Sequence, residues 1–192
     1  ALRRQVAMNI AVQTNNGFTV VRPDITWERY NRDFYVPDFA GGLAWVPVAY
    51  APVIRPGKFI QPKFAGRHLS TPAFGVLFYP GGADSSPEAF AQACCFNHSS
   101  HLPEPFPEGS VTGGPFSISI NGAVVFRADD ADLQIVVPAL AEASKRVLLN
   151  TGDIFAAELG PRLPLDCGKG PFHFTGCFEG AAGKLLDFQV II

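Results

Sequence analysis

The chain has little charge: 17% of its 192 residues are Asp, Glu, Lys or Arg. Acids and bases nearly cancel, at a formal net charge of -2, so the overall basic footprint expected of a nucleic-acid binder is missing. Long hydrophobic runs are missing too. The longest apolar stretch, Ala40 to Ile54, is broken by Pro47 and Pro52 and is too short to span a membrane. Cysteine is scarce: of Cys94, Cys95, Cys167 and Cys177, two are adjacent, and sequence neighbours rarely reach bridging geometry. Free thiols in a reducing compartment are therefore expected. Internal repeats are absent.

Against these absences stands a hydrophobic content of 47%, which excludes a disordered chain. The length suits one well-buried core and is too short for two ordinary domains. The 19 Gly and 17 Pro are scattered, as in many short strands joined by turns. Low charge combined with 17 Phe fits a chain that buries part of its surface against other protein subunits. Residues 1–7 are basic and acid-free. They suit either the remnant of an organelle-targeting segment, with mitochondria the expected address, or a start after Met removal.

Residues 1–57 read differently from residues 58–192. A strand is expected over Phe18–Arg22, after the turn signal Asn15-Asn16-Gly17. Beyond it, aromatics and prolines follow one another with weak periodicity, which predicts an extended arm. Trp27, Tyr30, Phe34, Tyr35 and Trp45 are its candidate contacts, either with its own domain or with a partner subunit.

From residue 58 the pattern sharpens. Ala73–Tyr79 predicts a buried strand ended by Pro80-Gly81-Gly82, and Ser86-Pro87-Glu88 opens a helix running to about Phe96. Phe116–Ile120 and Ala123–Ala128 flank Asn121-Gly122, a strong hairpin signal. Leu133–Val137 predicts a strand or short bend, followed by a helix from Pro138 to about Val147. Strands are expected at 153–159, 172–178 and 185–192. The fold class is a β-rich α+β domain with two short helices.

The order of several short pieces resembles the fumarylacetoacetate hydrolase superfamily over about residues 58–192. These pieces are Phe64-Ala65-Gly66-Arg67-His68, Phe74–Tyr79, the helix Pro87–Ala93, Asn97-His98-Ser99-Ser100, Gly114-Pro115, Asn121-Gly122 and Leu149-Asn150-Thr151-Gly152-Asp153. The resemblance implies a mixed β-sandwich roll. It also implies, for active members, Mg²⁺- or Mn²⁺-dependent cleavage, decarboxylation or hydration of 2-oxo acids. The metal of that family rests on a Glu-x-Glu pair and an Asp, since a hard divalent ion needs anionic oxygen ligands. Laid on this chain, the pair falls near Ala73 and Gly75, give or take a residue, and the Asp falls on His98. All three acids are missing. Only Leu69-Ser70-Thr71-Pro72 remain where the family builds a lid, so His68 lacks both metal and cover.

Other residues that could carry chemistry form weaker sets. Cys95, His98 and His101 offer zinc-type ligands at a spacing unlike separated ligand pairs. Cys94 and Cys95 also read as small hydrophobes ending a helix. Glu104 and Glu108 flank a proline loop, while Asp84 and Glu88 suit a helix start. Ser99 and Ser100 lack a nucleophile elbow, and Gly113-Gly114-Pro115 reads as a turn. His68 and His98 remain the residual catalytic candidates. The leading expectation is a non-catalytic accessory subunit without a cofactor. The alternatives are an atypical divalent-metal enzyme on 2-oxo acids, built around His98 and Glu104, and a ligand-binding module.

Overall fold

The computed structural model describes residues 8–103 and 114–192. Its strands are β1 (Asn9–Gln13), β2 (Thr19–Pro23), β3 (Trp27–Glu28), β4 (Phe34–Tyr35), β5 (Leu43–Pro52), β6 (Ala73–Pro80), β7 (Ser100–His101), β8 (Phe116–Ile120), β9 (Ala123–Ala128), β10 (Ile154–Glu158), β11 (Leu163–Leu165), β12 (Phe172–Phe178) and β13 (Leu186–Ile191). The helices are α1 (Pro62–Ala65), α2 (Pro87–Ala93), α3 (Asp130–Leu133) and α4 (Val136–Ala143). None is long and apolar enough to cross a membrane.

The strands form two sheets. The larger has the order β2-β1-β10-β5-β6-β7-β3, with β11 also paired to β5, and the smaller has the order β4-β13-β12-β8-β9. Their inner faces meet through aromatic pairs: Trp45 on Phe174 at 5.5 Å between centroids, Phe74 on Phe116 at 4.6 Å, and Phe78 on Phe174 at 5.4 Å. Sequence pattern follows this layering. β12 reads Phe-His-Phe-Thr-Gly-Cys-Phe and alternates between core and outside, whereas all but the last residue of β6 are buried. The expected β-rich architecture with one shared core is what forms.

Local signals act where expected. Asn121 and Gly122 take positive φ, 50° and 82°, and turn β8 into β9. Ser86 Oγ accepts the Ala89 amide and caps α2, which ends at Ala93, short of Phe96. The strand or bend expected at Leu133–Val137 is helical instead. Asp129 and Asp132 make a reciprocal capping box that opens α3, and α4 starts at Val136. Pro138 sits in the first turn of α4, where its missing N–H is no loss. α1 and α3 are single turns beyond the two helices expected.

The expected arm needs correction. Residues 9–52 supply β1 to β5, and β5 pairs with β6, β10 and β11 inside the larger sheet. Strands from before and after residue 57 thus pair within one sheet. Phe34 and Trp45 are 2% exposed in the chain's own core, so they are not free for a partner. Trp27 is half-buried and donates its indole N–H to Leu102 O at 2.8 Å. Tyr30 and Tyr35 alone of the five stay exposed, at 63% and 69%. The weak periodicity misled because β3 and β4 are two-residue strands, too short to show alternation.

Asp153 explains part of the Leu149–Asp153 motif. Its buried carboxylate accepts the amides of Asn9 at 3.0 Å and Asn150 at 2.8 Å, joining the starts of β1 and β10. Gly152, at φ 96°, forms the turn before it.

Candidate functional site

The strand register decides whether Ala73, Gly75 and His98 can share a site. Val76 lies opposite His101 and Leu77 opposite Ser100, and Phe78 donates its amide to Ser99 O at 2.8 Å. His98 therefore comes level with the Tyr79 end of β6. At about 3.4 Å per residue, this puts it about 14 Å along the strand from Gly75 and about 20 Å from Ala73. The expected convergence does not occur.

His68 lies farther still. Leu69 bridges Val53 just past β5, and His68 O accepts the Ile54 amide at 2.8 Å. His68 Nδ1 rests 3.1 Å from Arg55 O. β5 runs between the two histidines: Ala44 lies opposite Tyr79, and Ile54, bonded to His68, is ten residues further along, a span of about 30 Å. The two histidines do not act on one substrate atom.

The neighbourhood of Gly75 is filled. A Cβ there would lie 2.6 Å from Leu102 Cδ2 and 2.7 Å from His101 O. Leu102, Tyr50 and Ala73 are buried, and the Tyr50 hydroxyl donates to Pro103 O. Among the described residues no group of three or more His, Cys, Asp and Glu side chains could hold a metal. Glu104 and Glu108 lie outside the described residues. The Mg²⁺ or Mn²⁺ implied by the fold does not fit the residues at Ala73, Gly75 and His98, which offer no carboxylate and do not converge.

The zinc alternative is also taken apart. Cys95 is exposed, and the His98 side chain is 59% exposed with Nδ1 3.8 Å from Glu28 Oε2. His101 is 1% exposed and points between the sheets. Its ring stacks on Phe188 at 3.9 Å and meets Phe34 and Phe78 edge-on. Burial, with a smaller contribution from His98, pushes its pKa down to about 3. A neutral ring whose two nitrogens find no hydrogen-bond partner among the described residues behaves as a core aromatic.

Two features escaped the sequence reading. The first is a buried polar network. Arg22, fully buried, donates to Ser100 Oγ at 2.7 Å, Phe78 O at 2.7 Å and Ser99 O at 3.2 Å. Tyr79 lies between the guanidinium groups of Arg22 and Arg162, at 4.5 and 4.0 Å from its centroid, and donates to Glu158 Oε1 at 2.8 Å. Burial raises the Tyr79 pKa, so the phenol stays protonated. Arg162 is paired with Glu158 and Asp84, whereas among the described residues Arg22 donates to neutral oxygens and its Nε finds no hydrogen-bond partner.

The second is a surface cavity of about 410 Å³ walled by Phe34, Tyr35, Phe39, Cys95, Phe96 and His98. Phe39 is 81% exposed at its mouth. His98 is held there at φ 53°, its amide donating to Ile25 O at 3.1 Å. Among the described residues no hydrogen bond activates Cys95. The cavity offers apolar walls with a polar rim, suited to receiving a side chain from another molecule.

The sequence matches no family model and no curated protein. Solved structures do match. Fumarylpyruvate hydrolase from Pseudomonas aeruginosa, solved with Mn²⁺ and pyruvate, superposes at TM-score 0.77 with 15% identity, over 97% of this chain and 90% of that one. A protein of Yersinia pestis CO92 ascribed to the fumarylacetoacetate hydrolase family gives 0.75 at 12% identity, over 96% and 93%. This chain has the fumarylacetoacetate hydrolase fold. The 2-hydroxyhepta-2,4-diene-1,7-dioate isomerase of Mycobacterium marinum gives 0.77 at 15%, over 96% and 75%. Because the match extends over 96–97% of this chain, residues before 58 belong to the fumarylacetoacetate hydrolase fold as well. The resemblance drawn from residues 58–192 understated its reach.

Proposed function

We propose that this chain is a non-catalytic protein on the fumarylacetoacetate hydrolase fold, serving as an accessory subunit of a larger assembly. The observation that carries the reading is the packing at Gly75, where Leu102 and His101 O occupy the volume a carboxylate side chain would need. Fold alone does not carry activity, which resides in the site. The surface around the 410 Å³ cavity supplies the contact, through the exposed rings of Tyr35 and Phe39 with Tyr30 on the same segment.

The test is purification of the tagged full-length chain from its native cells, followed by native sizing, partner identification and elemental analysis. The expected result is a stoichiometric complex, lost in a Tyr35→Ala/Phe39→Ala variant that still folds. A monomer carrying stoichiometric Mg²⁺ or Mn²⁺ that turns over a 2-oxo acid would overturn the reading in favour of a metal-dependent enzyme.

A further inference from the structure

Between Asp38 and Asp84 the chain has no Asp or Glu, yet it carries Arg55, Lys58, Lys63 and Arg67. The fold gathers these cations with the end of α4. Gly57 and Leu149 exchange two backbone hydrogen bonds, at 2.9 and 3.0 Å, and the amides of Phe59 and Ile60 donate to Ser144 O and Oγ, both at 2.9 Å. Arg146 and Leu148, both exposed, thereby join the same patch. Lys145 is there too but is paired with Glu142 at 2.7 Å. Among the described residues Arg55, Lys58, Lys63, Arg67 and Arg146 form no ion pair.

Apolar side chains are interleaved with the cations. Phe59 is 68% exposed, Leu148 58%, Ile54 49% and Phe64 38%. Phe59 sits at φ 54°, a left-handed backbone that a bulky L-residue adopts only at a cost, and its pinned amide holds the ring outward. Phe64 lies between the Lys63 and Arg67 cations, at 4.8 and 5.0 Å from its centroid. None of five cavities of 180–410 Å³ takes a wall from this stretch. Its projecting phenylalanines ringed by unpaired cations match a fluid anionic layer with an apolar interior.

We infer that the patch formed by residues 54–68 and 144–149 docks on an anionic lipid bilayer, with Phe59 and Phe64 entering the interface and the cations meeting headgroup charge. This inference is independent of the accessory-subunit reading.

The test is flotation of the purified full-length chain with phosphatidylcholine vesicles with and without phosphatidylserine. Binding is expected only to the serine-containing vesicles and should weaken as salt rises. Each single charge removal among Lys58, Lys63 and Arg67 should weaken partitioning roughly fivefold. Phe59→Ala, at a projecting side chain, should weaken it with charge unchanged and circular dichroism intact. Absence of flotation overturns the inference. Flotation that survives Phe59→Ala and Phe64→Ala but is lost on Lys58→Glu/Lys63→Glu also overturns it, by revealing a plain polyanion site. So does a charge-reversed variant that loses a protein partner while the wild type ignores vesicles, which assigns the patch to an acidic protein.

Discussion

Leu102 Cδ2 stands 2.6 Å from where a Cβ at Gly75 would be, so the two residues are packed backbone to side chain. Glycine is required there by space, since β6 and β7 hold Leu102 over it. Gly75→Ala should cost about 1–3 kcal/mol by overpacking, read from the urea midpoint at unchanged slope. Gly75→Glu should cost more, because it also buries a carboxylate without a partner. A Gly75→Glu variant as stable as the wild type would mean that Leu102 moves aside easily and that the space over Gly75 can take a carboxylate side chain.

Arg22 makes a second testable commitment. Its guanidinium reaches Ser100 Oγ and Phe78 O at 2.7 Å each, tying β2 to β6 and the start of β7. Arg22→Ala should cost about 3–5 kcal/mol, from the cavity left by a large buried side chain and the buried acceptors left without a donor. Arg22→Lys should rescue little, because a point ammonium cannot span both partners as the fork does. Denaturant unfolding of the two variants checks both claims, and near-full stability of Arg22→Lys would count against the fork geometry.

The histidine between the sheets predicts an acid-side loss of stability. His101 has its folded pKa lowered to about 3, against 6.5 ordinarily. Between these values the unfolded chain binds a proton at this site and the folded one does not, so stability rises with pH. The contribution is full above pH 6.5 and is lost as pH falls toward 3. His101→Phe keeps an aromatic ring against Phe188 and removes the proton site. It should flatten the stability profile over that window by up to about 1.4 kcal/mol per pH unit. Identical slopes for variant and wild type would show that folding does not lower the His101 pKa.

Legibility in the sequence tracked how local each cause was. Asn121-Gly122, Ser86-Pro87 and the unbroken apolar run of β6 act within a few residues, and each produced the expected element. The capping box Asp129/Asp132 is equally local and was readable, yet the β-branched residues after it drew the reading toward a strand. Arg22 gave no such signal, because its partner Ser99 lies 77 residues away. The same holds for Phe34 and Trp45, whose burial depends on Phe78, Phe96 and Phe174 across the two sheets. For the candidate site, the sequence shows directly that Ala73, Gly75 and His98 carry no acid, but not that they lie apart. That His68 and His98 stand at opposite ends of β5 follows only from strand register, which no local pattern specifies.

The last prediction concerns residues 1–56. In the fold they supply β1 to β5, and β5 sits between β6 on one side and β10 with β11 on the other. Removing them strips the inner partner from three strands and uncovers Phe174, against which Trp45 packs at 5.5 Å. Burial of Trp45, Val46, Val48 and Tyr50 alone is worth about 1.5–3 kcal/mol per side chain, comparable in sum to the whole stability of a typical domain, about 5–15 kcal/mol. A fragment spanning residues 57–192 should therefore be unfolded or aggregated, with no strand signal in far-UV circular dichroism and rapid proteolysis throughout. A soluble fragment with a cooperative unfolding transition would instead mean that the first strands are a detachable arm, and the central place assigned to β5 would be wrong.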